Sequence, residues 1–174
     1  MKLPSTFSKD EKYINAVIET PKGSASKYSW DEETQLFKLK KILPKGQVFP
    51  YHFGFIPHTK AEDGDPLDVL VLLDESAWPG CIIECNLIGV MEATETKKGE
   101  TVRNDRLIAT ANASDKYSHI QDISSDDNYL AEEIENFFNT YNNLENKEFK
   151  VTAKKGPKVA MDLIKKQLIN GDTE

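Results

Sequence analysis

The stretch EDGDPLDVLVLLDE, residues 62–75, sets Glu62, Asp63, Asp65 and Asp68 close together and then runs into an apolar segment. Asp63, Asp65 and Asp68 can converge only if something cancels their mutual repulsion. Hard divalent cations do so, because Mg2+ and Ca2+ prefer oxygen ligands. The competing reading is a solvated turn, since Asp-Gly-Asp-Pro is also ordinary bend chemistry. An EF-hand is excluded: counting from Asp63, the sixth position is Asp68 rather than Gly and the twelfth is Asp74 rather than Glu. His52, His58 and His119 are too scattered for a His-ligated metal, and no Ser/His/Asp or Cys/His relay stands out.

The elements that must hold this loop follow from turn residues and periodicity. YINAVIET ends at Pro21-Lys22-Gly23, and TQLFKLKKIL ends at Pro44-Lys45-Gly46. LDVLVLL and CIIECNLIGVMEA follow, separated by Trp78-Pro79-Gly80. Evenly spaced short strands of this kind point to a barrel. In NYLAEEIENFFNTYNNL, Leu130, Ile134, Phe137, Phe138, Tyr141 and Leu144 recur at helical steps. Ser124, Ser125 and Asp126 offer capping oxygens ahead of it. A second helix, PKVAMDLIKKQLIN, starts with Pro157 in its first turn and stops at Gly171. The expected fold class is therefore mainly β with flanking helices (α+β): a small barrel covered by two C-terminal helices, with the acidic loop leading into a core strand.

A chain of 174 residues suits a single domain spanning 1–174 with a true hydrophobic core. Its 39% apolar and 29% charged content is that of a globular protein. A formal charge of −7 with no long Lys/Arg block argues against a nucleic-acid partner. The opening MKLPSTFSKDEKY has no apolar signal core, and no apolar run approaches the roughly 20 residues that span a bilayer. A cytoplasmic protein without a membrane partner is expected. Cys81 and Cys85 would stand roughly 13 Å apart on one strand face, beyond the roughly 7 Å reach of a disulfide, and two thiols do not make a structural zinc site.

EDGDPLDVLV resembles the signature of the soluble family I inorganic pyrophosphatases, Asp-x-Asp-Pro-apolar-Asp followed by an apolar strand. The resemblance extends to VIETPKGSASKY, FPYHFGFIPHT, KYSHIQDISS and IENFFNTYNNLENKEFKV, covering roughly residues 13 to 170. It implies an OB-like five-stranded β-barrel, Mg2+-dependent hydrolysis of inorganic pyrophosphate with several ions per site, and a homo-oligomer, a hexamer in bacterial members. It also implies that Asp63 and Asp68 are metal ligands and that Asp65 assists deprotonation of the nucleophilic water. Lys27 and Tyr141 would hold phosphate oxygens, and Glu19 would belong to an outer acidic shell. Such a site has a physical logic: an acidic pocket repels pyrophosphate until bound cations reverse its local sign.

Several positions depart from the family pattern. Ser29 stands where a Glu is expected, and Phe49 and Phe53 stand where two tyrosines are, so that both read equally as barrel core. The phosphate-binding Arg corresponds to Lys41, with Lys40 as a substitute. Lysine keeps the charge but loses the bidentate fork. In ATETKKGETVRNDRLIA, Glu95 and Asn104 fall at two metal-binding aspartates and Arg106 at a lysine, while Asp105 could replace Asn104 only if the backbone bulges. The Lys after the helix Tyr is Asn142. Two functions are thus in view: a working divergent enzyme, or a paralogue with little turnover that binds metal and phosphate or serves as an interaction module.

Overall fold

The computed structural model describes residues 3–125 and 129–169. Five strands close into a ring: β1 (Ile14–Thr20), β4 (His52–Phe55), β5 (Asp68–Leu72), β8 (Arg106–Ala111) and β6 (Ile82–Lys97), which returns to β1. The β5–β8 contact is parallel and the other contacts of the ring are antiparallel. The five-stranded closure matches the sequence expectation. Two further strands, β7 (Glu100–Arg103) and β9 (Lys147–Lys155), add to β6. A separate two-stranded sheet is formed by β2 (Ser26–Asp31) and β3 (Leu36–Ile42).

The long strand β6 serves successive partners because it bends. Its register slips between Leu87 and Gly89 against β8, and between Glu92 and Ala93 against β9. Gly89 sits at φ 152°, and a Cβ there would lie 2.3 Å from Ile123 Cγ2 and 2.4 Å from the Lys155 carbonyl oxygen. Only glycine permits that approach, and bulges of this kind curve a sheet enough to close it.

Strand β5 is buried on both faces, which explains its unbroken apolar run. Leu70 and Leu72 join the core under helix α1 (Tyr129–Asn143), through Leu130, Ile134 and Phe138. Val69 and Val71 join the core under α2 (Pro157–Gln167), through Ala160 and Ile164. Phe49 and Phe53 are core residues, packed at 5.7 Å from each other.

Between the two helices β9 intervenes and pairs antiparallel with β6. Pro157 does open α2. The hydroxyls of Ser124 and Ser125 donate to the Asp122 carboxylate and carbonyl oxygens, respectively, and the residues that lead from them into α1, 126–128, lie outside the described residues. Asp126 and Gly171, the other expected boundary residues, lie outside the described residues. Cys81 and Cys85 are free thiols, Cys85 fully buried. Among the described residues no helix is long and apolar enough to cross a membrane.

Candidate active site

The acidic loop owes its shape to its backbone. Gly64 at φ 93° turns the chain, its N–H donating to the Ala61 carbonyl at 3.1 Å, while the Ala61 N–H donates to the Asp65 carbonyl at 2.8 Å. The Asp65 N–H donates to Asp63 Oδ1 at 3.2 Å. Past Pro66, the Leu67 N–H donates to Thr59 Oγ1 at 2.9 Å, and Asp68 begins β5 opposite Phe55. Asp63, Asp65 and Asp68 thereby line one cavity of about 700 Å³.

The two-stranded sheet supplies another wall of that cavity, and β1 side chains pin it in place. Thr20 Oγ1 accepts the Tyr28 N–H at 3.0 Å and donates to the Tyr28 carbonyl at 3.1 Å, while Glu19 Oε1 accepts the Trp30 N–H at 2.6 Å. Lys27, Ser29, Lys40 and Lys41 line the cavity from this sheet. Lys27 Nζ lies 4.9 Å from the Phe53 ring centre and 5.7 Å from that of Tyr141. Desolvation lowers the pKa of Lys27, with the charges of Asp68 and Glu19 opposing the shift.

Burial pushes the Glu19 carboxyl from the usual 4.5 up to about 7, with the nearby charges of Asp68 and Asp65 adding to the shift against the Trp30 hydrogen bond. A carboxyl whose folded pKa exceeds its unfolded value binds protons more tightly in the native state. Its stabilising effect is complete below pH 4.5 and is lost as pH rises through about 7. In EDTA, urea-unfolding free energy should therefore fall by on the order of 2 kcal/mol across that window, and Glu19→Gln should flatten the fall. An unchanged slope in the variant would contradict this assignment.

A chain of polar contacts runs along the remaining wall. Lys41 Nζ donates to Glu145 Oε1, Glu145 Oε2 lies 3.5 Å from Lys147 Nζ, and Lys147 Nζ lies 2.8 Å from Glu95 Oε1. Asn104 Nδ2 approaches Glu95 Oε2 at 3.5 Å, and Asn104 Oδ1 accepts from Arg106 Nη1. Arg106 in turn pairs with Asp68 Oδ2 at 2.7 Å. The Arg106 guanidinium carbon lies 5.0 Å from the Phe138 ring centre and 5.7 Å from that of Phe149. Burial raises the Tyr141 pKa, and the charge of Glu145 reinforces it.

One expected residue is not brought into the cavity. Asp105 is 8% exposed and does not line it; Oδ1 accepts the Ala93 N–H at 3.0 Å and Oδ2 accepts Arg103 Nε at 2.7 Å. Residues 104 and 105 connect β7 to β8, so their side chains diverge: Asn104 lines the cavity and Asp105 fastens the turn. Asn142 lines the cavity but is neutral and nearly fully buried, its Nδ2 donating to the Phe138 carbonyl at 2.9 Å.

Lys147 and Glu145 were not singled out by their spacing. The turn after α1, with Asn146 at φ 55°, reverses the chain and starts β9 at Lys147. The register Lys97↔Lys147 and Glu95↔Phe149 puts Lys147 diagonal to Glu95 on one face.

Hard oxygen donors dominate the acidic side of the cavity: carboxylates of Asp63, Asp65, Asp68 and Glu95, and the Asn104 amide. That chemistry fits a divalent cation of the Mg2+ type. Among the described residues no three Asp, Glu, His or Cys side chains are gathered as a ready-made cage. A cation would instead compete with Arg106 for Asp68 and with Lys147 for Glu95.

Residues 16–170 match the family model described as inorganic pyrophosphatase, and the chain belongs to that family. The inorganic pyrophosphatase of Thermus thermophilus is 37% identical over 155 residues, covering 87% of this chain and 86% of the relative. A crystal structure of the Thermus thermophilus inorganic pyrophosphatase superposes with a TM-score of 0.82 at 35% identity, covering 94% of this chain and 93% of that one. The soluble inorganic pyrophosphatase of Oryza sativa is 41% identical over 138 residues, 79% of this chain. The match spans only 63% of the rice protein's length.

Proposed function

We propose that this protein hydrolyses inorganic pyrophosphate to two phosphates with the help of divalent cations, Mg2+ in the first instance. The observation that supports this most is the joint placement of Asp63, Asp65 and Asp68 with Lys27, Lys41, Arg106 and Tyr141 around one cavity, in a chain of the pyrophosphatase family. Asp63 and Asp68, with Glu95 and Asn104, would hold the metals. When bound, such ions supply positive charge for the phosphates and lower the pKa of a coordinated water.

The protein's own groups do the rest. Asp65 holds its turn through its own N–H, to Asp63 Oδ1, and its own carbonyl, to the Ala61 N–H, which leaves its carboxylate available to take a proton from water. Lys27, Lys41 and Arg106 bring fixed positive charge to phosphate oxygens, and the Tyr141 hydroxyl, kept protonated by burial, can donate to one. The aromatic floor under Lys27 and Arg106 restricts their motion, which pre-organises the charge. The proposal includes a cytoplasmic setting, one domain over the whole chain and a homo-oligomer, a hexamer by analogy with bacterial family members.

A second reading, a paralogue that binds phosphate and metal with little turnover, draws on the Asn104 oxygen being taken by Arg106 and on Asn142 being neutral and committed to the helix backbone. Phosphate release from pyrophosphate decides between them. We expect release with Mg2+, none in excess EDTA, and recovery when Mg2+ is restored. Calorimetric binding of pyrophosphate and Mg2+ with no release would favour the paralogue, and neither binding nor release would remove both readings.

A further inference from the structure

The cavity wall holds a carboxylate, Glu145, to which the proposed hydrolysis assigns no role. Glu145 lies in the turn between α1 and β9, and its two oxygens engage two different cations: Oε1 takes the Lys41 ammonium and Oε2 sits 3.5 Å from Lys147 Nζ. Lys41 comes from the small sheet and Lys147 from the large one. The Lys41 ammonium also lies 3.5 Å from the Tyr141 ring centre. The three side chains are 23%, 32% and 21% exposed for Lys41, Glu145 and Lys147, so a ligand in the cavity can reach them all.

We infer that Glu145 is an internal anion that occupies the Lys41–Lys147 pair and competes with phosphate for it. This rests on the pyrophosphatase reading and adds a new residue and a new cation, Lys147, to the phosphate site. Two oxygens on one carbon, each facing a separate ammonium, imitate two oxygens on one phosphorus. A carboxylate carries one negative charge, whereas phosphate near neutral pH carries between one and two and pyrophosphate more, so the ligand wins the cations by Coulomb attraction. Burial alone would raise the Glu145 carboxyl, yet Lys41 and Lys147 hold it below the ordinary glutamate range, which keeps the competitor charged.

Lys147 fits a phosphate-holding role for a second reason. Asn142 offers no charge, and its amide is already bonded within α1. Lys147 supplies an ammonium to the same cavity from the start of β9. Its other partner, Glu95, is one of the residues assigned to metal. A cation drawing on Glu95 would free Lys147 for the ligand, coupling the two events through one side chain.

A structural anchor and a competitor predict opposite signs. If Glu145 only held the two lysines in place, its removal would weaken phosphate binding. As a competitor, its removal strengthens it. With the full-length protein at fixed ionic strength, inorganic phosphate should bind E145Q about 3–5-fold more tightly than wild type by calorimetry, the range of an exposed ion pair. The KM for pyrophosphate should fall by a similar factor without a rise in kcat. K147M should weaken phosphate binding, and E145D, too short to reach both lysines, should tighten it by less than E145Q. Should E145Q misfold by circular dichroism, E145D carries the test alone. Unchanged or weaker phosphate binding in E145Q, or no measurable phosphate binding by either protein, overturns the inference. Wild-type turnover of pyrophosphate tests the underlying reading separately, so turnover with unaltered phosphate affinity in E145Q sinks only the competitor.

Discussion

Asp65→Asn is expected to lower kcat for phosphate release from pyrophosphate by about 10²–10⁴-fold, the usual worth of a positioned proton acceptor. The substitution suits the test because it is nearly isosteric. Asp65 fastens its loop through its N–H to Asp63 Oδ1 and its carbonyl to the Ala61 N–H, and both bonds survive in asparagine. Its side chain is exposed on the cavity wall and is no part of either core cluster. The melting temperature should therefore hardly move while turnover collapses. Steady-state phosphate release at saturating Mg2+, paired with thermal melts, checks both halves. A variant retaining a tenth or more of wild-type kcat would remove Asp65 from the chemistry. A loss that tracked a lower melting temperature would make it a structural residue.

Arg106→Met should have the largest effect on stability. Arg106 is 5% exposed and spends Nη1 on the Asn104 and Asp105 carbonyls, at 3.3 and 2.9 Å, and on the Asp68 carboxylate at 2.7 Å. Methionine fills much of the space between Phe138 and Phe149 but leaves Asp68 without its cation. Breaking a buried pair from one side costs about 3–5 kcal/mol, and the partial exposure of Asp68 places this case near about 3 kcal/mol. Urea unfolding in EDTA is the measurement. Because the penalty arises from an abandoned charge, the double variant Asp68→Asn/Arg106→Met should recover part of it. A double variant less stable than Arg106→Met would show that the arginine contributes through packing. Lysine at 106 keeps the charge without the fork, so Arg106→Lys should be intermediate.

Local sequence was enough wherever a rule acts over a few residues. Turn residues bounded β1, β3, β5 and β6, the helical repeat located α1, and Pro157 marked the start of α2. The acidic loop was legible for the same reason: Gly64 and Pro66 bend the chain beside the carboxylates they present. β9 was harder to see, because KEFKVTAKK has a single buried residue, Phe149, and finds its partner strand in β6, fifty or more positions upstream.

By itself the sequence determined the composition of the site: three aspartates at fixed intervals, the basic residues, the tyrosine of α1, and the closed β architecture that the strand spacing and family resemblance imply. Tertiary structure alone decided which of these meet. Asn104 and Asp105 are neighbours in the chain, yet one lines the cavity and the other fastens a turn. Lys41 and Glu145 are 104 positions apart, yet they touch. Side-chain direction at a strand end depends on the register of the partner strand, and register is set by the packing of the whole sheet, which no local run of residues encodes.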